Sequence, residues 1–219
     1  MMMQPIPLKP DDLVAGLREA RLLAVIRGND ADASIASALA LVEEGVKYLE
    51  IAITTPDAQR VIETVCEHAG PDAVIGAGTV LTVDDVAAVL GAGAQFILTP
   101  SLAPSVAEAA ERGVPVIAGA FTPSECYQGM ELGASAIKLF PASAGGPEYL
   151  KAVRDPFPEI PFIAIGGVGQ AEAVEYWRRG ALAVGVGSPL VGDAASGGDL
   201  AELRNRARAY LQLAADARG

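Results

Sequence analysis

A lysine stands inside an apolar segment of this chain. Lys138 is the only lysine or arginine between Ala134 and Ala142, and its neighbours are Ile137 and Leu139. Lysine is rarely buried without a partner, and a desolvated lysine loses affinity for its proton. Because a free amine attacks carbonyl carbons, this position predicts Schiff-base chemistry. The alternative is a lysine at a strand end whose amine extends to water.

A carboxylate stands in a second apolar segment. In a strand, alternation puts Glu50 and Thr54 on one face, opposite an aliphatic face that would pack on helices. Glu50 then points to the interior of the fold, where a carboxylate needs a partner. Two interpretations stay open, because they share one geometry. Glu50 is either a general acid/base beside Lys138 or its partner in a structural ion pair.

An arginine ends a third apolar segment. Arg27 is followed by Gly28 and Asn29, so its guanidinium stands where a strand gives way to a turn. A guanidinium holds a carboxylate through two parallel hydrogen bonds, which predicts a role in binding a carboxylate substrate. The alternative is an arginine at the rim that pairs with a surface acid.

Glycine-containing turns follow the last two apolar segments. They are Gly166-Gly167 and Gly187-Ser188. Glycine lets backbone N–H groups approach an oxyanion, and the Ser188 hydroxyl adds a donor at the start of a predicted short helix. A glycine pair alone often marks only a tight turn, but two such turns after consecutive strands predict a phosphate site.

The elements that must position these residues are short apolar strands separated by segments of helical period. Strand–helix units repeated eight times predict an α/β fold with a parallel sheet that closes into a (β/α)₈ TIM barrel, whose active site lies at the carboxyl ends of the strands. An open, doubly wound sheet is the alternative. The predicted strands are residues 22–27, 48–53, 73–77, 95–98, 115–118, 135–139, 161–165 and 182–186.

Residues 10–20 are predicted to form an extra helix before the first strand, and residues 198–217 the last helix. Ala/Leu/Glu-rich segments between the strands, such as 32–44 and 56–68, open on capping residues and close on glycine. No linker or charge run divides the chain, so residues 1–219 are expected to form a single barrel domain.

Composition narrows the class of partner. The net charge of −11 argues against nucleic acid, and no apolar run reaches the ~18 residues that a membrane span needs. The first seven residues lack the pattern of a secretion signal, and Cys66 and Cys126 have no metal or redox spacing. A cytoplasmic protein is expected. His68, the only histidine, is expected at the surface, and no metal or cofactor is expected.

Taken in order, the motifs of this chain resemble those of the 2-keto-3-deoxy-6-phosphogluconate (KDPG) and 4-hydroxy-2-oxoglutarate (KHG) aldolase family. The resemblance extends from about Leu22 to Val191. Its motifs are Val25-Ile-Arg27, Gly45-Val-Lys-Tyr-Leu-Glu-Ile51, Gly76-Ala-Gly-Thr-Val80, Gly93-Ala-Gln-Phe-Ile-Leu-Thr-Pro100, Ile137-Lys-Leu-Phe-Pro141, Ile165-Gly-Gly-Val168 and Val184-Gly-Val-Gly-Ser188.

The resemblance implies a metal-independent class I aldolase, commonly a homotrimer. Lys138 would form the Schiff base with the C2 ketone of the substrate, and Glu50 would shuttle protons. The expected products are pyruvate and glyceraldehyde 3-phosphate, with 4-hydroxy-2-oxoglutarate as a second substrate that yields pyruvate and glyoxylate.

The resemblance also implies binding roles. Thr79 would bind the pyruvyl carboxylate, Pro100 and Phe140 would pack around the substrate, and the two glycine-containing turns would bind the phosphate. Two positions depart from many family members. Thr54 stands where many carry an arginine that contacts the carboxylate, and Arg27 is the expected substitute. Ile165 stands where many gluconate-type members have a threonine near C4 of the substrate.

The departure at Ile165 leaves the C4 epimer open, because relatives acting on 2-keto-3-deoxy-6-phosphogalactonate tend to be aliphatic there. The gluconate substrate is the preferred expectation. Other readings are a phosphate-binding barrel of different chemistry, such as a thiamine-phosphate synthase or an isomerase, and a phospho-ligand sensor that binds without turnover.

Overall fold

The structure, a computed structural model, describes residues 8–218 of the chain. The first seven residues, for which the sequence predicts no secretion signal, lie outside the described part. Strands and helices alternate through the described residues. None of the helices among them combines the length and the apolarity needed to cross a bilayer.

Eight parallel strands lie at the centre of the fold. Every predicted strand is confirmed, and no boundary differs by more than two residues. The fourth strand begins two residues later than predicted. The side-chain oxygen of Gln95, which precedes this strand, accepts a hydrogen bond from the Ile75 N–H. The strands are β1 (Leu22–Ile26), β2 (Tyr48–Ala52), β3 (Val74–Gly78), β4 (Ile97–Leu98), β5 (Val116–Ala120), β6 (Ala136–Leu139), β7 (Phe162–Ile165) and β8 (Ala183–Val186).

Helices connect the strands, and the predicted first and last helices are confirmed. Gly45 and Gly133 end helices with φ of +98° and +88°, values that favour glycine. The helices are α1 (Pro10–Ala20), α2 (Ala31–Glu43), α3 (Ala58–His68), α4 (Val83–Gly91), α5 (Pro104–Glu111), α6 (Pro123–Glu131), α7 (Ala142–Arg154), α8 (Gln170–Arg178), α9 (Ser188–Val191) and α10 (Leu200–Asp216), with a 3₁₀ turn at Ala194–Ser196.

The sheet closes on itself. The strands follow one another in chain order around the barrel, and β1 pairs with β8 through Leu22↔Val184 and Ala24↔Val186. The predicted (β/α)₈ barrel with an extra amino-terminal helix is confirmed. The open-sheet alternative is wrong, because an open sheet would leave two strands as edges.

Strand side chains alternate between two apolar cores. One core lies between the sheet and the helices and includes Leu49, Ile51, Ile137 and Leu139. The other fills the inside of the barrel with side chains such as Leu23. Full burial of an aliphatic side chain contributes about 1.5–3 kcal/mol, so both faces of the sheet stabilise the barrel.

Helix α1 closes the amino-terminal end of the barrel. Leu13 and Leu17 are fully buried and belong to the inner core, beside Leu23 and Tyr48 at the starts of β1 and β2. This plug leaves the carboxyl ends of the strands as the place for a site, as is usual for this fold.

Candidate functional site

Lys138 lies inside the barrel. Ile137 and Leu139 point to the outer core, so alternation turns Lys138 inward. The residue is 4% exposed, and its Nζ lies 5.0 Å from the centroid of the Phe140 ring. That distance is within the range of cation–π attraction. The alternative of an amine that extends into bulk water is wrong for this residue.

Glu50 faces Lys138 across the inside of the barrel. Its Oε1 lies 4.0 Å from the Lys138 Nζ, and the residue is 0% exposed. Among residues 8–218, neither carboxylate oxygen has a hydrogen-bond partner. A buried carboxylate is costly without compensation, and the Lys138 amine provides it. The pair combines a nucleophile with a carboxylate whose oxygens are able to take up a proton.

Two strand glycines near Lys138 and Ile165 allow close packing inside the barrel. Gly119 on β5 is the register partner of Lys138, and a methyl group there would lie 2.6 Å from the backbone N of Ser101. Gly185 on β8 is the partner of Ile165, and a methyl group there would lie 2.6 Å from the Ile165 Cδ1. Glycine in a strand often marks close approach of another group, and here the two glycines make room for the backbone after β4 and for the Ile165 side chain.

A cavity of about 240 Å³ opens beside Lys138 at the carboxyl ends of the strands. It brings together most of the predicted site, from the lysine to the two glycine-containing turns. Its wall consists of Val25, Arg27, Lys138, Phe140, Ile165, Gly166, Gly167, Gly187, Ser188, Pro189, Val191 and Gly192. Apolar walls with a few polar groups are typical of small-molecule sites.

Arg27 and Thr79 meet at the rim. The Arg27 Nη2 donates a 3.5 Å hydrogen bond to the Thr79 Oγ1. Thr79 has a φ of +64°, which is uncommon for a β-branched residue and costs about 1–3 kcal/mol. Such strained positions cluster at functional sites. Thr79 does not line the cavity, but it contacts a residue that does.

The two glycine-containing turns follow the neighbouring strands β7 and β8, and both line the cavity. Gly166 and Gly167 have φ of +101° and +70°. The Gly166 carbonyl accepts a 3.0 Å hydrogen bond from the Ser143 N–H, which ties this turn to the start of α7. The predicted short helix begins at Ser188 as α9. Residues of both turns therefore border the same space.

An arginine outside the cavity holds the far end of α9. The Arg206 Nε donates to the Leu190 carbonyl at 2.7 Å, and its Nη2 donates to the Val191 carbonyl at 3.0 Å. A cation at the last carbonyls of a helix satisfies groups that lack helical partners. Arg206 therefore anchors the carboxyl end of α9, the short helix that follows the turn at Gly187.

Besides Glu50 and Thr79, two more predicted site residues lie apart from the cavity wall. β2 ends at Ala52, so alternation no longer applies at Thr54, which is exposed in the turn that follows. The prediction that Thr54 shares a strand face with Glu50 is wrong for that reason. Pro100 is half-buried, and its carbonyl lies against Gly119 rather than in the cavity.

Four residues of the wall were not predicted as site residues: Val25, Pro189, Val191 and Gly192. Val25 has a signal in the sequence, because it lies two residues before Arg27 and so shares its strand face. The others follow β8, where sequence alone does not say how the chain turns back over the barrel.

The remaining reactive side chains lie away from this cavity. Burial raises the pKa of the Cys126 thiol to about 11, and burial raises that of Cys66 to about 11 as well. His68 is exposed, as predicted, near the end of α3. In the described part of the chain, no three His, Cys, Asp or Glu side chains are grouped as a metal site would require.

The chain is similar to a family model and to several known proteins. A family model described as KDPG and KHG aldolase matches residues 13–205. The chain is 35% identical to a probable 2-dehydro-3-deoxy-6-phosphogalactonate aldolase of Rhizobium meliloti, covering 97% of this chain and 96% of that protein. It is 37% identical to the KHG/KDPG aldolase of Escherichia coli, over 82% of this chain and 85% of that protein.

A solved structure adds information on the chemistry. The KDPG aldolase of Legionella pneumophila, with pyruvate captured as a covalent carbinolamine intermediate, matches with a TM-score of 0.78 and 28% identity. The match covers 96% of this chain and 98% of that chain.

Proposed function

Because the chain belongs to the KDPG and KHG aldolase family, we propose that it cleaves a 2-keto-3-deoxy-6-phospho-sugar acid into pyruvate and glyceraldehyde 3-phosphate. The enzyme class is that of its relatives, a lyase of the aldolase type. The observation that carries the substrate proposal is the buried Lys138–Glu50 pair beside a cavity bordered by two glycine-containing turns. We expect 4-hydroxy-2-oxoglutarate to be a second, unphosphorylated substrate.

The reaction begins at Lys138. Glu50 takes a proton from the Lys138 ammonium, and the free Nζ attacks the C2 ketone to form a carbinolamine. Glu50 then returns the proton to the C2 hydroxyl, which leaves as water and gives an iminium ion that accepts electrons. Glu50 removes the proton of the C4 hydroxyl. The electrons of the C3–C4 bond then pass to C3 and form an enamine, while C4 leaves as the aldehyde. The protonated Glu50 returns its proton to C3, and hydrolysis of the pyruvate iminium restores the free amine.

The cavity orients the substrate between two anion sites. Arg27, with Thr79 beside it, is proposed to hold the carboxylate. Thr54, the first polar residue after β2 in the chain, is proposed to contribute to substrate binding. Phe140 and Pro100 are proposed to pack on the carbon chain. The backbone N–H groups of Gly166, Gly167 and Gly187, with the Ser188 hydroxyl, are proposed to bind the phosphate. These local donors are needed because the net charge of −11 repels an anion.

The gluconate epimer is the first candidate substrate, and the galactonate epimer is the second. Ile165 favours the second, because it is 4% exposed, lines the cavity and offers no hydrogen bond to a C4 hydroxyl. A buried hydroxyl left without a partner can reduce selectivity for its epimer strongly. The relatives include aldolases named for each substrate and so do not separate the two.

The chemistry is tested by incubating the protein with pyruvate and sodium borohydride. We expect one covalent adduct per chain, located at Lys138 by peptide mass spectrometry, and none in Lys138→Met. A phospho-ligand sensor would bind substrate without being trapped. Pyruvate release from the two C4 epimers, measured side by side, then identifies the substrate. Release from neither epimer, together with absence of trapping, would reject the aldolase proposal.

The proposal includes a homotrimer in the cytoplasm. Exposed apolar side chains at Leu81, Val83, Tyr127 and Leu132 support association, because large apolar groups at a surface often mark contacts between subunits. The two unpaired cysteines are in keeping with a reducing compartment. Light scattering during size-exclusion chromatography should give three times the chain mass of 22.4 kDa.

A further inference from the structure

Gly78, the last residue of β3, lies directly against the Glu50 side chain. A methyl group built on Gly78 would overlap the Oε1 and Cδ of Glu50 and would lie 2.6 Å from its Cγ. Gly78 is part of a regular strand and does not adopt a positive φ. An alanine could therefore take up its backbone conformation. The position requires glycine for space, not for φ.

The register shows where Glu50 directs its carboxylate. The Cα partner of Glu50 on β3 is Gly76, but its carboxylate lies over Gly78, two residues closer to the carboxyl end of the barrel. The side chain therefore leans along the strands toward the mouth of the barrel. Its Oε1 comes within 4.0 Å of the Lys138 Nζ.

Few other contacts fix this orientation. Among residues 8–218, no hydrogen bond reaches either oxygen of Glu50, so attraction to Lys138 and the shape of its surroundings must hold the carboxylate. A glutamate side chain has several rotatable bonds, and attraction to a single charge defines its direction poorly. The groove left by the absent side chain of Gly78 restricts the direction of the Glu50 carboxylate.

We propose that Gly78 is a positioning residue that acts through Glu50, by providing the slot that aims the carboxylate at the Schiff-base lysine. The inference rests on the proposed acid/base role of Glu50. Any larger side chain at this position moves the carboxylate out of the slot and away from Lys138. The proton transfers then slow, while Lys138 itself remains able to react with a ketone.

Gly76 provides a matched control on the same strand. A methyl group there would lie 2.6 Å from the Phe96 ring, which belongs to the inner core, and the atoms nearest to it are those of Phe96 rather than of Glu50. Gly76→Ala and Gly78→Ala therefore introduce the same methyl group on the same face of β3, and in both cases a neighbouring side chain must move. At Gly76 that side chain is Phe96, whereas at Gly78 it is Glu50 itself.

Exchange of the pyruvate methyl protons with deuterated water isolates the step. Glu50 removes a C3 proton from the pyruvate iminium, the C–H electrons form the enamine, and a deuteron returns to C3. We expect Gly78→Ala to lower the exchange rate at least tenfold while borohydride still traps pyruvate on Lys138, and Gly76→Ala to stay within about threefold of the wild type. Equal losses in the two variants, or wild-type exchange in Gly78→Ala, would overturn the inference.

A stability comparison covers the case in which Gly78→Ala folds poorly. The methyl group collides with the Glu50 side chain, so Gly78→Ala should lower the urea midpoint in the wild-type background but not in Glu50→Ala, where the space is open. The same loss in both backgrounds would refute the slot. This comparison tests the contact between Gly78 and Glu50 independently of catalysis. The proposed function, in contrast, would be rejected if borohydride failed to trap pyruvate on the wild-type protein.

Discussion

Replacing Lys138 with methionine should destabilise the barrel as well as abolish Schiff-base formation. Methionine is about as long as lysine but uncharged, so it leaves the Glu50 carboxylate at 0% exposure without its compensating charge. Two unit charges separated by 4.0 Å attract by about 4 kcal/mol at an effective dielectric constant of about 20. Breaking one side of a buried ion pair costs about 3–5 kcal/mol, which agrees with that figure. We expect a loss of about 4 kcal/mol.

Urea unfolding followed by circular dichroism measures this loss, with all variants at one protein concentration because association shifts apparent stability. The double variant Lys138→Met/Glu50→Leu is the control. It removes the remaining charge as well. Because apolar replacement of a buried ion pair often leaves the free energy of unfolding unchanged, most of the lost stability should be regained. The reasoning is refuted if Lys138→Met unfolds within about 1 kcal/mol of the wild type, or if the double variant is no more stable than the single one.

Other predictions concern separate parts of the molecule. Arg27→Ala should raise the KM at least about tenfold with little change in kcat, because a charged hydrogen bond is worth about 1.5–3 kcal/mol, and an unchanged KM would exclude Arg27 as the carboxylate ligand. Arg206→Met should raise the KM for the phosphorylated substrate but not for 4-hydroxy-2-oxoglutarate, because it loosens α9 alone; equal effects on both would contradict this. Leu13→Ala should cost about 2–5 kcal/mol in urea unfolding and leave borohydride trapping intact. Hydrogen bonds from the Thr122 and Phe121 N–H groups and the Thr122 hydroxyl lower the pKa of Glu125 below its ordinary value of 4.5. Glu125→Gln should therefore cost about 1 kcal/mol at pH 7, and this difference should shrink as the pH falls below about 4.5, which unfolding at several pH values would measure.

The amino-acid sequence alone determined the class of fold and the direction of the central side chains. Strands that are buried on both faces of a parallel sheet have short, continuously apolar sequences, whereas the helices between them have apolar residues at the helical period. Eight repeats of this alternation predict a barrel. The period of two in a strand then turns Lys138 and Glu50 inward. These predictions depend only on local geometry, and the structure agrees with them.

Tertiary structure decided what depends on how separate segments meet. The distance of 4.0 Å between Lys138 and Glu50 comes from the closure of the barrel, because the two residues lie on β6 and β2. Thr54 left the predicted face because β2 ends at Ala52, and strand ends are set by pairing with neighbours rather than by local pattern. The role of Gly78 could not be predicted either. Glycine is required there because the Glu50 side chain from β2 occupies the space that a side chain on Gly78 would need, and only the folded barrel brings the two together.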